Sequence, residues 1–268
     1  MKPESLLELD RVTVSRSQFH LLDDITLRIP LGQNTVILGP NGSGKSSLLK
    51  LLMRQFYPSI VEGDAGTVRI FGQSLWNNSD LRSRLGIICG ELDQEFSSPR
   101  SGRMTGLQAV LSGLDGVKIV GAIRDHDSRD LDIAHDSLAR AGAMSLAGQT
   151  LATMSTGERR RVLIARALVH QPAALLVDEP TTGLDIAARL RFLDQLQTLA
   201  ENGTTIVLVT HHIEEVIPAI SHVIFLKRGK TVGEGPVTEL LTDSNLSDLF
   251  DVRVCVHRSD LSWSLSRP

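Results

Sequence analysis

The sequence has no run of eighteen or more apolar residues, so it offers no membrane-spanning helix. Its first ten residues, MKPESLLELD, lack the apolar centre of a secretory signal and carry acids where that centre would lie. These two absences make the cytoplasm the expected location. Cysteine is scarce. Only Cys89 and Cys255 occur, at no metal-like spacing, and two reduced thiols are expected rather than a disulfide. A basic excess is also missing. The formal net charge of -3 argues against a protein that coats nucleic acid, and no nucleic-acid partner is expected. No internal repeat or low-complexity tract is found. What is present is ordinary for a globular protein: 268 residues, 41% hydrophobic and 22% charged. That length suits one large domain, or a core with an inserted lobe.

The pattern changes twice along the chain. Leu6 to Val14, Leu21 to Ile29, Asn34 to Leu38 and Gly66 to Gly72 read as strands, and Ser46 to Arg54 as a helix. From about Leu92 to Leu151, clusters of Ser, Pro, Gly and Asp mix with helical stretches such as Leu131 to Ala141, as in a mostly helical inserted lobe. Strand and helix then alternate again. Ala173 to Val177, Thr205 to Thr210 and Val223 to Lys227 read as buried strands. Ile186 to Ala200 reads as a helix with Ile186, Leu190, Leu193 and Leu196 on one face, stopped by Asn202-Gly203. Such alternation implies an α/β core with a parallel sheet. Arg258 to Pro268 is polar and is expected to fray.

Gly39-Pro40-Asn41-Gly42-Ser43-Gly44-Lys45-Ser46 fits the pattern G-x-x-x-x-G-K-[ST], between a buried strand and a helix. Glycines let backbone N–H groups close on phosphate oxygens. Lys45 can place its charge between the β- and γ-phosphates, the Ser46 hydroxyl can ligate Mg2+, and the following helix turns its positive end to the phosphates. ATP with Mg2+ is the expected ligand. Further on, Asp178 and Glu179 follow the apolar run Leu175-Leu176-Val177. Ligands of parallel α/β sheets gather beyond the carboxyl ends of the strands. Asp178 therefore suits a magnesium role through a water, and Glu179 a general base for the attacking water.

With these motifs in place, the sequence resembles an ABC-type (ATP-binding-cassette) ATPase over roughly residues 5 to 250. Met154-Ser155-Thr156-Gly157-Glu158-Arg159-Arg160-Arg161 is similar to the family's signature, usually Leu-Ser-Gly-Gly-Gln, with Met154, Thr156 and Glu158 as departures. Ser155 with Glu158 also reads as a helix capping box. Gly183-Leu184-Asp185 resembles the loop whose aspartate contacts a second subunit, and Thr210-His211 resembles the switch histidine. The resemblance implies an α/β fold: a P-loop NTPase core with a mostly parallel sheet, an N-terminal antiparallel β subdomain and an inserted helical subdomain. It implies an ATPase domain over residues 1–250, with the lobe at about 92–165, and a tail at 251–268. It also implies a head-to-tail dimer in which Ser155, Gly157 and Asp185 of one copy meet ATP held by Gly39 to Ser47 of the other. His211 would contact the γ-phosphate. His212 reads as an ordinary polar residue pointing the other way, and Arg159 to Arg161 as a solvated helix face.

Two positions depart from the family pattern. An aromatic residue usually stacks on adenine where Arg16 stands here, with Phe19 as the other candidate. Arginine can also stack its guanidinium on a base. A glutamine that links magnesium to the transporter interface is replaced by Gly90, and Glu91 or Gln94 could substitute. Glu91 is the expected third metal ligand. Met154 to Leu168, Val209 to Glu215 and Gly233 to Pro236, with Leu241-Thr242 and Asn245-Leu246, are most similar to single-domain ATPases of molybdate and iron-chelate uptake. The expected role is therefore ATP hydrolysis for an importer, peripheral on the inner membrane face, with a permease docking near the loop after Ile88. The missing glutamine favours an alternative, a soluble ATP-dependent switch. The single short cassette without coiled-coil heptads argues against chromosome-handling and translation-factor relatives. Glu179 and His211 argue against a cassette that binds ATP without hydrolysing it.

Overall fold

A computed structural model describes residues 4–61, 63, 66–96, 98, 101–115, 125–260 and 262–268, leaving out the side chains of residues 78, 79 and 91. The chain forms two compact units, Met1–Trp76 with Thr205–Pro268, and Asn77–Thr204. The first unit opens with β1 (Ser5–Arg16), β2 (Phe19–Pro30), β3 (Thr35–Leu38), α1 (Lys45–Leu52) and β4 (Thr67–Ile70). The second holds α2 (Asn78–Arg84), β5 (Leu85–Ile88), α3 (Gly90–Phe96), α4 (Gly106–Leu114), α5 (Ser128–Arg140), α6 (Thr156–Leu168), β6 (Ala174–Asp178) and α7 (Ile186–Glu201). The chain then returns to the first unit through β7 (Thr205–Thr210), β8 (His222–Lys227), β9 (Lys230–Pro236), α8 (Val237–Leu240), α9 (Asp243–Phe250), β10 (Cys255–Arg258) and β11 (Trp263–Ser266).

In the first unit, β1 pairs antiparallel with β2 on one edge and β4 on the other. A second sheet places β3 between β7 and β8, parallel to both, with β9 antiparallel at the edge. All four residues of β3 and all six of β7 are buried, as expected for parallel strands covered on both faces. Each fully buried Val, Ile or Leu contributes about 1.5–3 kcal/mol. Leu38 lies opposite Thr210 and Phe225, and the Gly39 N–H donates to the Thr210 carbonyl at 3.3 Å. The register therefore brings the chain out at Gly39 and at His211 side by side.

In the second unit β5 and β6 run parallel, with Ile88 opposite Val177. The chain thus leaves β5 toward Gly90 at the level where it leaves β6 toward Glu179. The helices α4, α5 and α6 pack on one another. A Cβ at Gly113 would lie 2.8 Å from the Arg166 carbonyl, so α4 and α6 touch backbone to backbone there. Side-chain caps open the helices: Thr105 with Gln108 at α4, Asp127 at α5, Ser155 at α6 and Asp185 at α7.

Two expectations are corrected. The end of the chain does not fray. β10 and β11 form an antiparallel hairpin, tied to α9 by the Val256 N–H donating to Asp243 Oδ1 at 2.7 Å and packed against the turn Ile213–Glu215. The short alternation Trp263-Ser264-Leu265-Ser266 gives that strand an apolar side, which its polar average hides. In α7, Ile186 and Leu190 are 79% and 56% exposed. The buried face runs through Phe192, Leu193, Leu196 and Leu199, so the periodicity seen from Ile186 starts one turn too early. Among the described residues neither Cys89 nor Cys255 is in a disulfide. Among the described residues no helix is long and apolar enough to cross a membrane.

Candidate functional site

The phosphate loop spans Gly39 to Lys45. A Cβ at Gly39 would run into the Leu226 carbonyl, and one at Gly44, whose φ is +109°, would lie 2.7 Å from the Leu21 carbonyl. Only glycine fits either place. The loop is held from outside by the Gly229 N–H, which donates to the Ser43 carbonyl at 2.8 Å, while the Gly229 carbonyl accepts from the Asp23 N–H at 2.8 Å. Gly44 caps α1 without a side-chain hydrogen bond, and no acid stands in the first turn. The helix therefore presents open N–H groups and its positive end to the loop. Lys45 is only 5% exposed, and its Nζ donates to the loop carbonyls of Gly39 (2.8 Å) and Pro40 (3.1 Å). The Ser43 hydroxyl is buried and finds no hydrogen-bond partner among the described residues. A glycine cradle, a buried ammonium and an unsatisfied hydroxyl suit a polyphosphate.

His211 follows β7 beside this loop. Its ring lies 3.9 Å from that of His212, tilted by 40°. The expectation that the two rings point apart is therefore wrong. The strand has already ended: the His212 N–H donates to Thr210 Oγ1 at 2.9 Å, and the chain turns, so strand alternation no longer applies. Arg16 and Phe19 face each other across the tip of the β1–β2 hairpin, both exposed, Phe19 at 76%.

In the second unit, β6 delivers Asp178 and then Glu179, both half-buried. Glu179 has φ +43°, although it is not glycine and precedes Pro180. Both features disfavour that conformation, which costs on the order of 1–3 kcal/mol. The turn is closed by the Thr182 N–H donating to the Glu179 carbonyl at 3.4 Å. Arg160 of α6 braces it, donating to the Thr182 carbonyl at 2.8 Å and, at the limit of bonding, to the Glu179 carbonyl at 3.5 Å. The Arg159 to Arg161 run is therefore not a solvated face. Arg160 is buried, and Arg159 donates to the Met154 carbonyl at 2.7 Å and to Thr156 Oγ1 at 3.3 Å. A three-residue run covers nearly a full helical turn, so its members cannot all face solvent.

The start of α6 is a complete capping box. The Ser155 N–H and hydroxyl donate to Glu158 Oε2 at 2.8 and 2.9 Å, and the Glu158 N–H donates to Ser155 Oγ at 3.3 Å. These two Ser155 donors, the backbone one foremost, hold the Glu158 carboxyl below the ordinary glutamate value. A Cβ at Gly157 would lie 2.9 Å from Ala188 Cβ, so this glycine serves the contact of α6 with α7. Asp185 Oδ1 accepts the Ala188 N–H at 2.7 Å and caps α7. Ser155, Gly157, Glu158, Arg161, Asp185 and Arg191 line one cavity of about 390 Å³. The structure thus gathers Ser155, Gly157 and Asp185 together, as it gathers the loop with His211 in the other unit.

The remaining candidates lie near Gly90. A Cβ there would meet nothing within 4 Å, so neither space nor backbone conformation demands glycine. The side chain of Glu91 lies outside the described residues, and Gln94 is exposed. Sequence reasoning missed Asp93, whose carboxylate lies 3.7 Å from both Arg159 and Arg160. An acid and an arginine sixty-odd positions apart carry no signal of pairing.

Residues 22–182 match the family model described as ABC transporter. The chain is 33% identical over 98% of its length to the uncharacterized ABC transporter ATP-binding protein YlmA of Bacillus subtilis, covering 96% of that protein. It is 30% identical over 92% of its length to the ferric enterobactin transport ATP-binding protein FepC of Escherichia coli, covering 88% of it. Among solved structures, an ABC transporter described as of metal-chelate type, in an inward-facing conformation, matches 98% of this chain and 97% of its own at 25% identity and a TM-score of 0.77. This is an ATP-binding, ATP-hydrolysing subunit belonging to the ABC transporter family.

Proposed function

We propose that this chain drives import of a metal chelate or an oxyanion, working as a pair of identical subunits against a membrane permease from the inner face. The observation that carries the paired reading is that the two helix starts proposed to meet phosphate belong to different compact units. The α1 start, with Lys45 and Ser46, belongs to one compact unit, and the α6 start, with Ser155, belongs to the other. Head-to-tail pairing would set the Ser155, Gly157 and Asp185 cavity of one copy on ATP held by Gly39 to Ser47 of the other.

In this reading Lys45 releases its two loop carbonyls and turns to the β- and γ-phosphates, while Ser43 satisfies its hydroxyl on a phosphate oxygen. Glu179 takes the proton of the attacking water and aligns it with the γ-phosphorus. His211 donates to a γ-phosphate oxygen and holds that group in line. Ser46 and Asp178 would hold Mg2+. One hydroxyl and one carboxylate suit an ion that keeps phosphate oxygens and waters as its other ligands. Among the described residues no group of three or more His, Cys, Asp or Glu could hold a metal unaided. When bound, Mg2+ neutralises charge on the β- and γ-phosphate oxygens. Arg16 or Phe19 would stack on adenine. The metal-chelate reading is supported by the names of FepC and of the metal-chelate type transporter, and those names describe those proteins.

The experiment is purification of the Glu179→Gln protein with ATP and Mg2+ from membranes of its own cells. Co-purification of a protein with several spanning segments, whose loss abolishes uptake of a metal chelate or oxyanion, is expected. Recovery of a dimer with only soluble partners would contradict the transport reading.

A further inference from the structure

We propose that Arg160 is a positioning residue for the base at Glu179, and that Asp93 ties its hold to the helix that follows β5. The inference rests on Glu179 being the base, and goes beyond it by saying what keeps the base in place.

Burial is the first observation. Arg160 is 6% exposed, and a buried guanidinium is costly unless its charge and N–H groups are matched. Its matches are specific: the Thr182 and Glu179 carbonyls, which bound the base's turn, and Asp93 Oδ2 at 3.7 Å. The second observation is strain. Glu179 sits at φ +43° before a proline, and such a conformation persists only where its surroundings over-determine it. Within the second unit, Arg160 is a group that reaches both ends of that turn.

The third observation is how Asp93 is shared. Its other oxygen, Oδ1, lies 3.7 Å from Nε of Arg159, whose Nη1 and Nη2 hold the Met154 carbonyl and Thr156 Oγ1 on either side of Ser155. One carboxylate of α3 therefore steadies two guanidinium groups, one gripping the base's turn and the other the start of α6. A displacement of α3 would carry Asp93 with it, slacken Arg160 and let the strained turn relax. The link from α3 to the base's turn thus runs through the Asp93–Arg160 ion pair and then through the hydrogen bonds of Arg160.

The test uses the full-length chain with Arg160→Met, Arg160→Lys, Asp93→Asn and Glu179→Gln, and measures ATP affinity, KM and kcat. Methionine keeps most of the packed stem and removes the N–H groups and the charge. Arg160→Met is expected to lower kcat about 30- to 100-fold, the scale of a misplaced catalytic group, with ATP affinity changed by less than about 3-fold. Arg160→Lys should recover part of the rate. Asp93→Asn should lower kcat about 3- to 10-fold at unchanged KM, and should add less in the Arg160→Met background than it costs alone, since its hold on Arg160 is already gone there. In the Glu179→Gln background Arg160→Met should leave the residual rate unchanged. A folded Arg160→Met protein with kcat within 2-fold of the parent would overturn the proposal, as would full additivity of Arg160→Met with Glu179→Gln. If Arg160→Met does not fold, Asp93→Asn decides, and an unchanged kcat there would also overturn it. Glu179→Gln separates the layers. Normal turnover in that variant would remove the base assignment itself, whereas loss of turnover there with full activity in Arg160→Met would remove only this inference.

Discussion

Two helices of this chain begin where the proposed function places phosphate, and they begin differently. At α1 the cap is Gly44, with no side-chain hydrogen bond and no acid in the first turn. At α6 the cap is Ser155, closed by Glu158, so that two donors already point at a carboxylate. An open start can turn its N–H groups to an anion because no side chain caps them. A closed start is stable by itself and carries a negative charge where an anion would approach. In the proposed function this difference suits a division of labour, in which one end would keep the nucleotide throughout and the other would meet it only in passing.

Between the two helix starts, the larger expected effect falls at the open end. Lys45→Ala should weaken ATP binding about 10- to 100-fold, the scale of a lost charge-assisted hydrogen bond, measured by titration calorimetry. Unchanged affinity would show that α1 does not depend on its ammonium. At the closed end, Gly157→Ala should destabilise the fold by about 1–3 kcal/mol through its clash with Ala188, while ATP binding stays intact. Thermal unfolding with and without ATP checks this; weakened ATP binding without loss of stability would assign Gly157 to the bound copy's own nucleotide.

Glu158→Gln keeps the capping geometry and removes the charge. Because the folded state holds the Glu158 carboxyl below its ordinary value of 4.5, its contribution is complete above that pH and is lost as the pH falls through the lower, folded value. The parent should lose this acid-side stability and the variant should not. Near neutral pH the variant should dimerise with ATP a few-fold more tightly, as removing one partly exposed charge from a helix start allows. Sedimentation velocity reads this, and weaker dimerisation would mean the carboxylate is itself recognised. The smallest effect is expected for Gly90→Gln. With no atom within 4 Å of the added Cβ, stability should change by less than about 0.5 kcal/mol, and a larger loss would show that the gap is filled by a neighbour.

The same contrast governs what could be read in advance. The phosphate loop was legible because its chemistry is local: glycines, a lysine and a serine in one run, between a strand and a helix whose registers follow from apolar pattern. Asp178 and Glu179 were legible for the same reason, as acids at the end of a buried strand. Arg160 was misread because its partners, Asp93 and the turn at Thr182, are distant in sequence and brought near only by folding. His212 was misread because strand periodicity was carried one residue past the strand's end. The β10–β11 hairpin was hidden by a polar average over a segment whose four-residue strands are too short to show a period.

The central claim is that ATP held at the open helix start is hydrolysed with Glu179 as the base. Single-turnover hydrolysis by the purified chain and by Glu179→Gln, alongside equilibrium ATP binding with Mg2+, tests it most directly. The account predicts binding equal within about 3-fold and hydrolysis at least about 100-fold slower in the variant, the range for loss of a general base. Hydrolysis at the parent rate, with binding intact, would contradict it.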